Sequence, residues 1–312
     1  MRSTFLYALT AALASPALIF AGSITASQLV VFGDSLSDNG NAAFELGGTL
    51  PGDYAPNAFT DGPNTSPATT GPFGLWIDQF AALAGLPDPQ PFLATPGGTN
   101  FAIASAQTGT VNPQDIGNQV AAFSAEEGFS APPGALYVIW GGANDIFNGG
   151  SGAAAAANLF GDIETLAAEG AKNFLWLNLP ALGDTPLGAG PAASVLNAQS
   201  ADFNAAWAAD IATLDSTGLD VTGVDIGGLF SQIIASPGSF GFTNVTSPAQ
   251  GTTGNPNNYL FWDTEHPTTA AGAVIAQTAF DDLTGAPEPG SFALLFLGLA
   301  GTAIVGRRRS AR

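Results

Sequence analysis

Short, continuously apolar runs alternate along this chain with longer alanine-rich stretches, and this alternation limits the possible folds more than any other feature. The apolar runs lie at 29–32, 100–104, 135–140, 173–179 and 219–226. The alanine-rich stretches lie near 114–127, 153–170, 192–215 and 267–283. Short apolar runs are typical of strands buried on both faces, and the longer stretches are typical of helices. The sequence therefore predicts an α/β fold with a central parallel sheet between layers of helices.

The stretch FGDSLSDNGN at 32–41 directly follows the first apolar run. Ligands bind at the carboxyl ends of the strands in open parallel sheets, and Ser35 stands just past such an end. Gly, Asp, Ser and Asn also form ordinary turns, so this stretch alone fits either a turn or a functional serine. Two glycine- and proline-rich insertions, roughly 46–74 and 236–257, are long enough to be lids or substrate loops.

A single histidine, His266, stands in the stretch FWDTEHPTTAAG. A serine hydroxyl becomes a good nucleophile when a base takes its proton, and that base is usually a histidine oriented by a carboxylate. Asp263 precedes His266 by three residues, and positions i and i+3 of one turn face the same way. We expect Asp263 to hold one imidazole nitrogen while the other faces Ser35, although a lone histidine also fits a surface or capping position.

The stretch YVIWGGANDIF places Asn144 just past another apolar run. An amide donor there can stabilise the oxyanion of a tetrahedral intermediate, which is worth roughly 10² to 10³ in rate per donor. By itself, the residue is better explained as a turn asparagine. Together with the serine and the Asp–His pair, it indicates part of an oxyanion hole.

These blocks, in this order, resemble the GDSL subgroup of the SGNH hydrolases, and the likeness covers most of residues 28–283. The resemblance implies a three-layer α/β/α flavodoxin-like fold with a central parallel sheet. It also implies hydrolysis of carboxylic esters without a metal or other cofactor. Ser35 would be the nucleophile, His266 the base and Asp263 its partner. The oxyanion would be held by the Ser35 N–H, the Ser105 N–H and the Asn144 side chain.

One block departs from the family pattern. Members usually have an asparagine followed five residues later by a glycine of the oxyanion hole, but NFAIASAQTG begins at Asn100 and puts Ser105 at that place. The donor is a backbone N–H, so serine can supply it if its φ is negative. A positive φ would strain a serine there.

The charge of the chain excludes some partners. Residues 28–286 hold 24 acidic residues and one basic residue, Lys172, a formal charge of −23. Binding to nucleic acid rests on Lys and Arg that neutralise phosphates, so nucleic acid is excluded and a neutral ester is the expected substrate. With one histidine and no cysteine, a zinc site is not expected, and no loop has the ligand spacing of a calcium site.

Both ends have the pattern of processing segments. Arg2, an apolar stretch from 5 to 20 and small residues to Ser27 predict a signal peptide over 1–27. Residues 287–312 begin Pro-Glu-Pro, continue with an apolar segment and end in an arginine cluster. This tail resembles the PEP-CTERM sorting signal of Gram-negative bacteria, which an exosortase is thought to remove. A plain membrane anchor is the alternative.

These segments predict a hydrolase domain over 28–286 in a protein that is secreted or held in the cell envelope. Signal peptidase and exosortase would process it. The protein would contact the membrane only through a transmembrane helix in the C-terminal tail, and only before exosortase removes that tail.

Three functions stay open at this point: an extracytoplasmic esterase or lipase, an O-acetyl esterase acting on surface polysaccharide, and a non-catalytic surface protein on the same fold. The complete set of Ser35, Asn144, Asp263 and His266 argues against the third, whereas Ser105 slightly favours it. Four residues lie in segments that fit either an acyl pocket or ordinary core: Phe73, Trp76, Phe147 and Leu182.

Overall fold

Four parallel strands form the central sheet in the order in which they occur along the chain. They are β1 Gln28–Gly33, β2 Ala135–Trp140, β3 Asn173–Leu177 and β4 Asp220–Val224. This computed structural model describes residues 24–55, 57–62 and 73–285. In register, Val31 pairs with Val138, Val138 with Leu175, and Leu175 with Thr222.

Helices flank the sheet, which confirms the predicted three-layer α/β architecture. The described helices are α1 Asn41–Glu45, α2 Trp76–Ala84, α3 Ile116–Glu126, α4 Ala143–Phe147, α5 Gly152–Ala168, α6 Ala193–Ser216, α7 Ile226–Ala235 and α8 Thr269–Thr284. α5 packs against α3 and α6, and α2 packs against α8. A second, two-stranded sheet pairs β5 Asn244–Pro248 with β6 Tyr259–Phe261 in parallel.

The core explains why the strands are so apolar. Every residue of β2 is buried, and so are Leu29 to Phe32 of β1. A strand covered on both faces has no polar side, and each fully buried Val, Leu, Ile or Phe side chain contributes about 1.5–3 kcal/mol relative to exposure.

The run 100–104, which was expected to be a strand, does not form a regular one. Its backbone lies along the free edge of β1, where Phe101 N–H donates to the Val31 carbonyl and Ile103 N–H donates to the Gly33 carbonyl. The Ala104 N–H then donates to the Asp38 carboxylate, and Ala106 N–H closes a turn onto the Ile103 carbonyl. The ladder of backbone hydrogen bonds to β1 ends because the Asp38 carboxylate accepts the Ala104 N–H, and the chain then turns away from the strand.

Residues 24–284 form one compact unit. The predicted signal peptide lies outside the described residues except for its last four, and the predicted tail lies wholly outside them. Within the described ranges, no helix is both long and apolar enough to span a bilayer.

Candidate active site

Ser35 lies in a tight turn at the carboxyl end of β1. A Cβ at Gly33 would approach the Trp140 carbonyl oxygen of β2 to 2.6 Å, so only glycine fits where the strand ends. The turn is closed by Asp34, whose Oδ1 accepts the Leu36 N–H at 3.0 Å and whose carbonyl accepts the Ser37 N–H at 3.1 Å. The turn leaves Ser35 half-buried at the strand end.

The polar residues behind the serine tie this turn to its neighbours. The buried Asp38 carboxylate accepts the N–H groups of Asn41, at the start of α1, and of Ala104, at 2.7 and 2.9 Å. Asn41 donates to the Asn100 carbonyl at 2.8 Å, and Asn100 donates to Asn39 Oδ1 at 2.8 Å. The sequence alone indicates no role for Asp38, Asn39 and Asn41, because nothing local shows that their partners lie some sixty residues away.

The structure brings Ser35, His266 and Asp263 together in one chain of hydrogen bonds. His266 Nε2 lies 2.8 Å from Ser35 Oγ, and His266 Nδ1 lies 2.6 Å from Asp263 Oδ2. Asp263 Oδ1 accepts the backbone N–H groups of Glu265 and His266 at 2.8 and 2.7 Å, which fixes the carboxylate. A neutral imidazole protonated on Nδ1 donates to Asp263 and leaves Nε2 free to accept the Ser35 proton.

Charges around the imidazole shift its titration. Burial alone would lower the pKa of His266, but the Asp263 hydrogen bond and charge, with Glu265 and Asp34, raise it above its usual value. Burial alone would raise the pKa of Asp263, but His266 and Tyr54 hold it well below its usual range. Burial raises the pKa of Asp34 to about 7, against the Leu36 N–H that favours its ionised form.

The three predicted oxyanion donors differ in their surroundings. Asn144, in α4, lines the cavity beside Ser35, and its Nδ2 donates one hydrogen bond to the Ala106 carbonyl at 3.0 Å. The amide therefore keeps a second N–H. The backbone N–H groups of Ser35 and Ser105 have no acceptor among the described residues. Ser105 is exposed and does not line this cavity in the described part of the chain.

Ser105 adopts φ 63°. This is the left-handed region that the sequence analysis identified as straining a serine, and it costs a non-glycine residue about 1–2 kcal/mol. A glycine at this position would carry no such strain.

An apolar cavity of about 530 Å³, part of it open to solvent, adjoins Ser35. Its charged or titratable lining residues are Asp34, Glu265 and His266, and its large apolar lining residues are Leu36, Trp140, Phe147, Leu179, Leu182, Phe230 and Phe261. Of the four residues proposed for an acyl pocket, Phe147 and Leu182 lie here. Trp76 lines a smaller neighbouring cavity of about 270 Å³, and Phe73 lines neither of these two cavities of the described residues.

Two aromatic residues of the first insertion contact the Asp–His pair, and no sequence motif marks either of them. The Tyr54 hydroxyl lies 2.6 Å from Asp263 Oδ2. The Phe59 ring stacks on the His266 imidazole, with centroids 5.1 Å apart and planes at 27°. The only available signal was that the insertion is long enough to reach a site.

Basic and metal-binding groups are scarce around the site. Lys172, the one basic residue in the described ranges, is exposed and immediately precedes β3, so it lies at the amino end of the sheet, opposite Ser35. No group of three or more His, Cys, Asp or Glu side chains in the described residues is arranged to hold a metal ion.

Comparison with known proteins places the chain in a family. The model of the GDSL-like lipase/acylhydrolase family matches residues 29–279, and that of the PEP-CTERM protein-sorting motif matches residues 286–309. A sorting motif of this kind points to secretion or the cell envelope. A curated relative from Pseudomonas putida, described as an uncharacterized protein in the trpE-trpG intergenic region, is 30% identical over 85% of this chain and 50% of its own length. The chain thus spans about half the length of the curated relative it matches.

The chain is also similar to solved structures, at low sequence identity. One is 15% identical, with a TM-score of 0.50 over 84% of this chain and 98% of its own. A member of the lipolytic protein G-D-S-L family from Veillonella parvula is 14% identical, with a TM-score of 0.46 over 82% and 97% of the two chains. Est24, a carbohydrate acetylesterase from Sinorhizobium meliloti, is 14% identical, with a TM-score of 0.47 over 83% and 99%. The family match over residues 29–279 covers well over half of the 312 residues, so the chain belongs to the GDSL-like lipase/acylhydrolase family.

Proposed function

We propose that this protein is a serine hydrolase of carboxylic esters, with Ser35 as nucleophile, His266 as general base and Asp263 as the group that orients the imidazole. The observation that carries the proposal is the pair of hydrogen bonds that join Ser35 Oγ to His266 Nε2 at 2.8 Å and His266 Nδ1 to Asp263 at 2.6 Å. This is the arrangement that makes a serine hydroxyl nucleophilic near neutral pH.

The proposed reaction has two acyl-transfer steps. Ser35 Oγ bonds to the ester carbonyl carbon while its proton passes to His266 Nε2, and Asp263 stabilises the imidazolium. The imidazolium then gives that proton to the departing alcohol as the C–O bond breaks. In the second step His266 takes a proton from water, whose oxygen bonds to the acyl carbon. The bond between that carbon and Ser35 Oγ then breaks, the imidazolium returns the proton to Oγ, and the acid leaves.

The oxyanion of each tetrahedral intermediate needs donors near Ser35. We assign this role to the Ser35 N–H and to the second N–H of the Asn144 amide, which have no acceptor among the described residues and belong to residues that line the cavity. The family resemblance alone assigns the Ser105 N–H as a third donor, since Ser105 does not line that cavity among the described residues. The apolar lining around Phe147 and Leu182 would take the acyl chain. No metal takes part in the proposed steps.

We further propose that the protein works outside the cytoplasm. The match to the sorting motif at 286–309 supports this location, and so does the signal-peptide pattern over 1–27. Signal peptidase and an exosortase would then act on the two ends.

The decisive experiment is ester hydrolysis by the purified protein on short-acyl, long-acyl and acetyl-sugar esters, with Ser35→Ala beside it. We expect Ser35→Ala to lower turnover by at least about 10³, as loss of a triad member usually does. Ser216→Ala removes a hydroxyl from the exposed end of α6 and should keep full activity.

Each outcome of that panel has a distinct meaning. Activity confined to the acetyl-sugar ester would identify an O-acetyl esterase. If Ser35→Ala kept more than a tenth of the activity, Ser35 would not be the nucleophile. A wild-type protein inactive on every ester would favour a non-catalytic surface protein.

A further inference from the structure

The Tyr54 hydroxyl shares an acceptor with the imidazole. Asp263 Oδ2 lies 2.6 Å from the Tyr54 hydroxyl and 2.6 Å from His266 Nδ1. An ionised carboxylate carries no hydrogen, so the phenol is the donor. Burial, and after it the Asp263 bond, raises the pKa of Tyr54 above its usual range, so the phenol keeps its proton wherever the enzyme is active.

The segment that carries Tyr54 is fixed to the frame that carries His266. Thr269, the first residue of α8, donates its N–H to Asp61 Oδ1 at 2.7 Å, and its hydroxyl accepts the Gly62 N–H at 3.1 Å. Within the segment, the Ala55 N–H donates to the Thr60 carbonyl at 2.9 Å. Thr269 follows His266 by only three residues. The segment that carries Tyr54 is therefore attached to the chain close to the histidine.

We propose that Tyr54 is a positioning residue of the Asp263–His266 pair, in which its hydroxyl holds Asp263 in line with the imidazole and withdraws charge from the carboxylate. The inference rests on the proposed function. With part of its charge withdrawn, Asp263 attracts the imidazolium proton less strongly. His266 therefore stays neutral, the form that accepts the Ser35 proton, down to a lower pH than it would without Tyr54.

The other groups that face His266 act in the opposite direction. Asp263 and Glu265 lie on its own turn, and Asp34 lies at the end of β1, and all three raise the pKa of His266. Two aromatic rings also face His266, with Phe59 stacked on the imidazole and Tyr54 edge-on to it. Tyr54→Phe removes none of these three carboxylates, so a change in the titration of His266 can be assigned to the loss of the Tyr54 hydroxyl.

Tyr54→Phe tests the proposal, because it removes the hydroxyl and keeps the ring that packs on Phe59 at 5.2 Å. We expect the acid limb of the kcat/KM profile to move to higher pH, so that activity below the limb falls at least about threefold more than activity on the plateau. KM should change little. The NMR titration of His266, the single histidine of the chain, should move in the same direction.

The control is Tyr259→Phe, which removes a phenol hydroxyl that lies beside Gly254. Its pH profile and imidazole titration should match those of the wild type. The proposal is wrong if Tyr54→Phe titrates like the wild type, and also if that variant no longer folds, since the hydroxyl would then be purely structural. A wild type without esterase activity would overturn the proposed function alone, because the NMR titration still measures the effect of Tyr54 on His266.

Discussion

Ser105 shows how one backbone angle affects the proposed oxyanion hole. Its φ of 63° is positive. Among the described residues, Phe129 is the only other non-glycine residue with a positive φ. Left-handed backbone costs a residue with a Cβ about 1–2 kcal/mol, whereas glycine adopts it freely. The backbone strain at Ser105 therefore accompanies the orientation of the N–H that is proposed as an oxyanion donor.

We predict that Ser105→Gly raises the free energy of unfolding by about 1 kcal/mol. The relief of about 1–2 kcal/mol of strain exceeds the extra chain entropy that a glycine has in the unfolded state, about 0.5–1 kcal/mol. Urea unfolding measures the change, and ester turnover should be kept or increased. Ser105→Ala is the matched control, because it removes the hydroxyl and keeps the Cβ, so it should give no gain. A loss of stability in Ser105→Gly would contradict the strain argument.

Individual side-chain contacts show which site residues can be predicted from sequence and which cannot. Ser35, Asp263 and His266 were identified because each stands in a short local pattern, and the structure places them within hydrogen-bonding distance. Tyr54 and Phe59 have no such pattern. Tyr54 meets Asp263 across 209 residues of sequence, and periodicity carries no information about contacts of that separation.

Among the elements, the turn after β1, the start of α1 and the segment 100–104 behave as one unit. The Asp38 carboxylate joins them, because it accepts N–H groups from Gly40, Asn41 and Ala42 at the start of α1 and from Ala104. Asp38 is 1% exposed, so water cannot replace these bonds. The position of Ser35 thus depends on a carboxylate three residues away.

Asp38→Ala is predicted to lower the free energy of unfolding by about 3 kcal/mol, the cost of leaving one or two buried N–H groups without acceptors. Because Asp38 holds the turn that carries Ser35, kcat should fall as well. Urea unfolding and ester turnover measure the two effects. Asp53→Ala, at an exposed carboxylate of the neighbouring loop, should change neither. A stability loss as small as that of Asp53→Ala would remove Asp38 as the link between the elements.

Prediction of the elements succeeded for most isolated apolar runs, although 100–104 forms no regular strand, and two helices were missed. β1 to β4, α3, α5, α6 and α8 lie in the expected stretches. α7 was missed because its apolar residues directly follow β4, so strand and helix form one continuous pattern. α2 was missed because its nine residues lie directly behind a long glycine- and proline-rich insertion.

At the scale of the whole molecule, the net charge is strongly negative, and acidic residues also line the cavity beside Ser35. Residues 28–286 carry a formal charge of −23, and Lys172 lies at the opposite end of the sheet from Ser35. The sequence left open whether the acidic residues stay away from the cleft. Asp34, whose pKa burial raises to about 7, and Glu265 line the cavity beside Ser35, so wherever they are ionised the local charge has the same sign as the net charge.

We therefore predict that the enzyme prefers neutral esters to anionic ones. The measurement compares kcat/KM for a matched pair of esters, one neutral and one bearing a carboxylate, at low and moderate ionic strength. Added salt should narrow the difference, since the screening length falls from about 30 Å at 0.01 M to about 8 Å at 0.15 M. Equal rates at low salt, or an anionic ester that reacts more slowly as salt is added, would rule out the electrostatic effect.

The hydrogen bond between Ser35 and His266 joins residues 231 positions apart, near the two ends of the described chain. A ribosome must therefore release nearly the whole domain before the proposed nucleophile can meet its base. A chain that is exported while still unfolded would carry no active serine through the compartment in which it is made. Under the proposed function, the serine would become reactive only after the chain has folded at its destination.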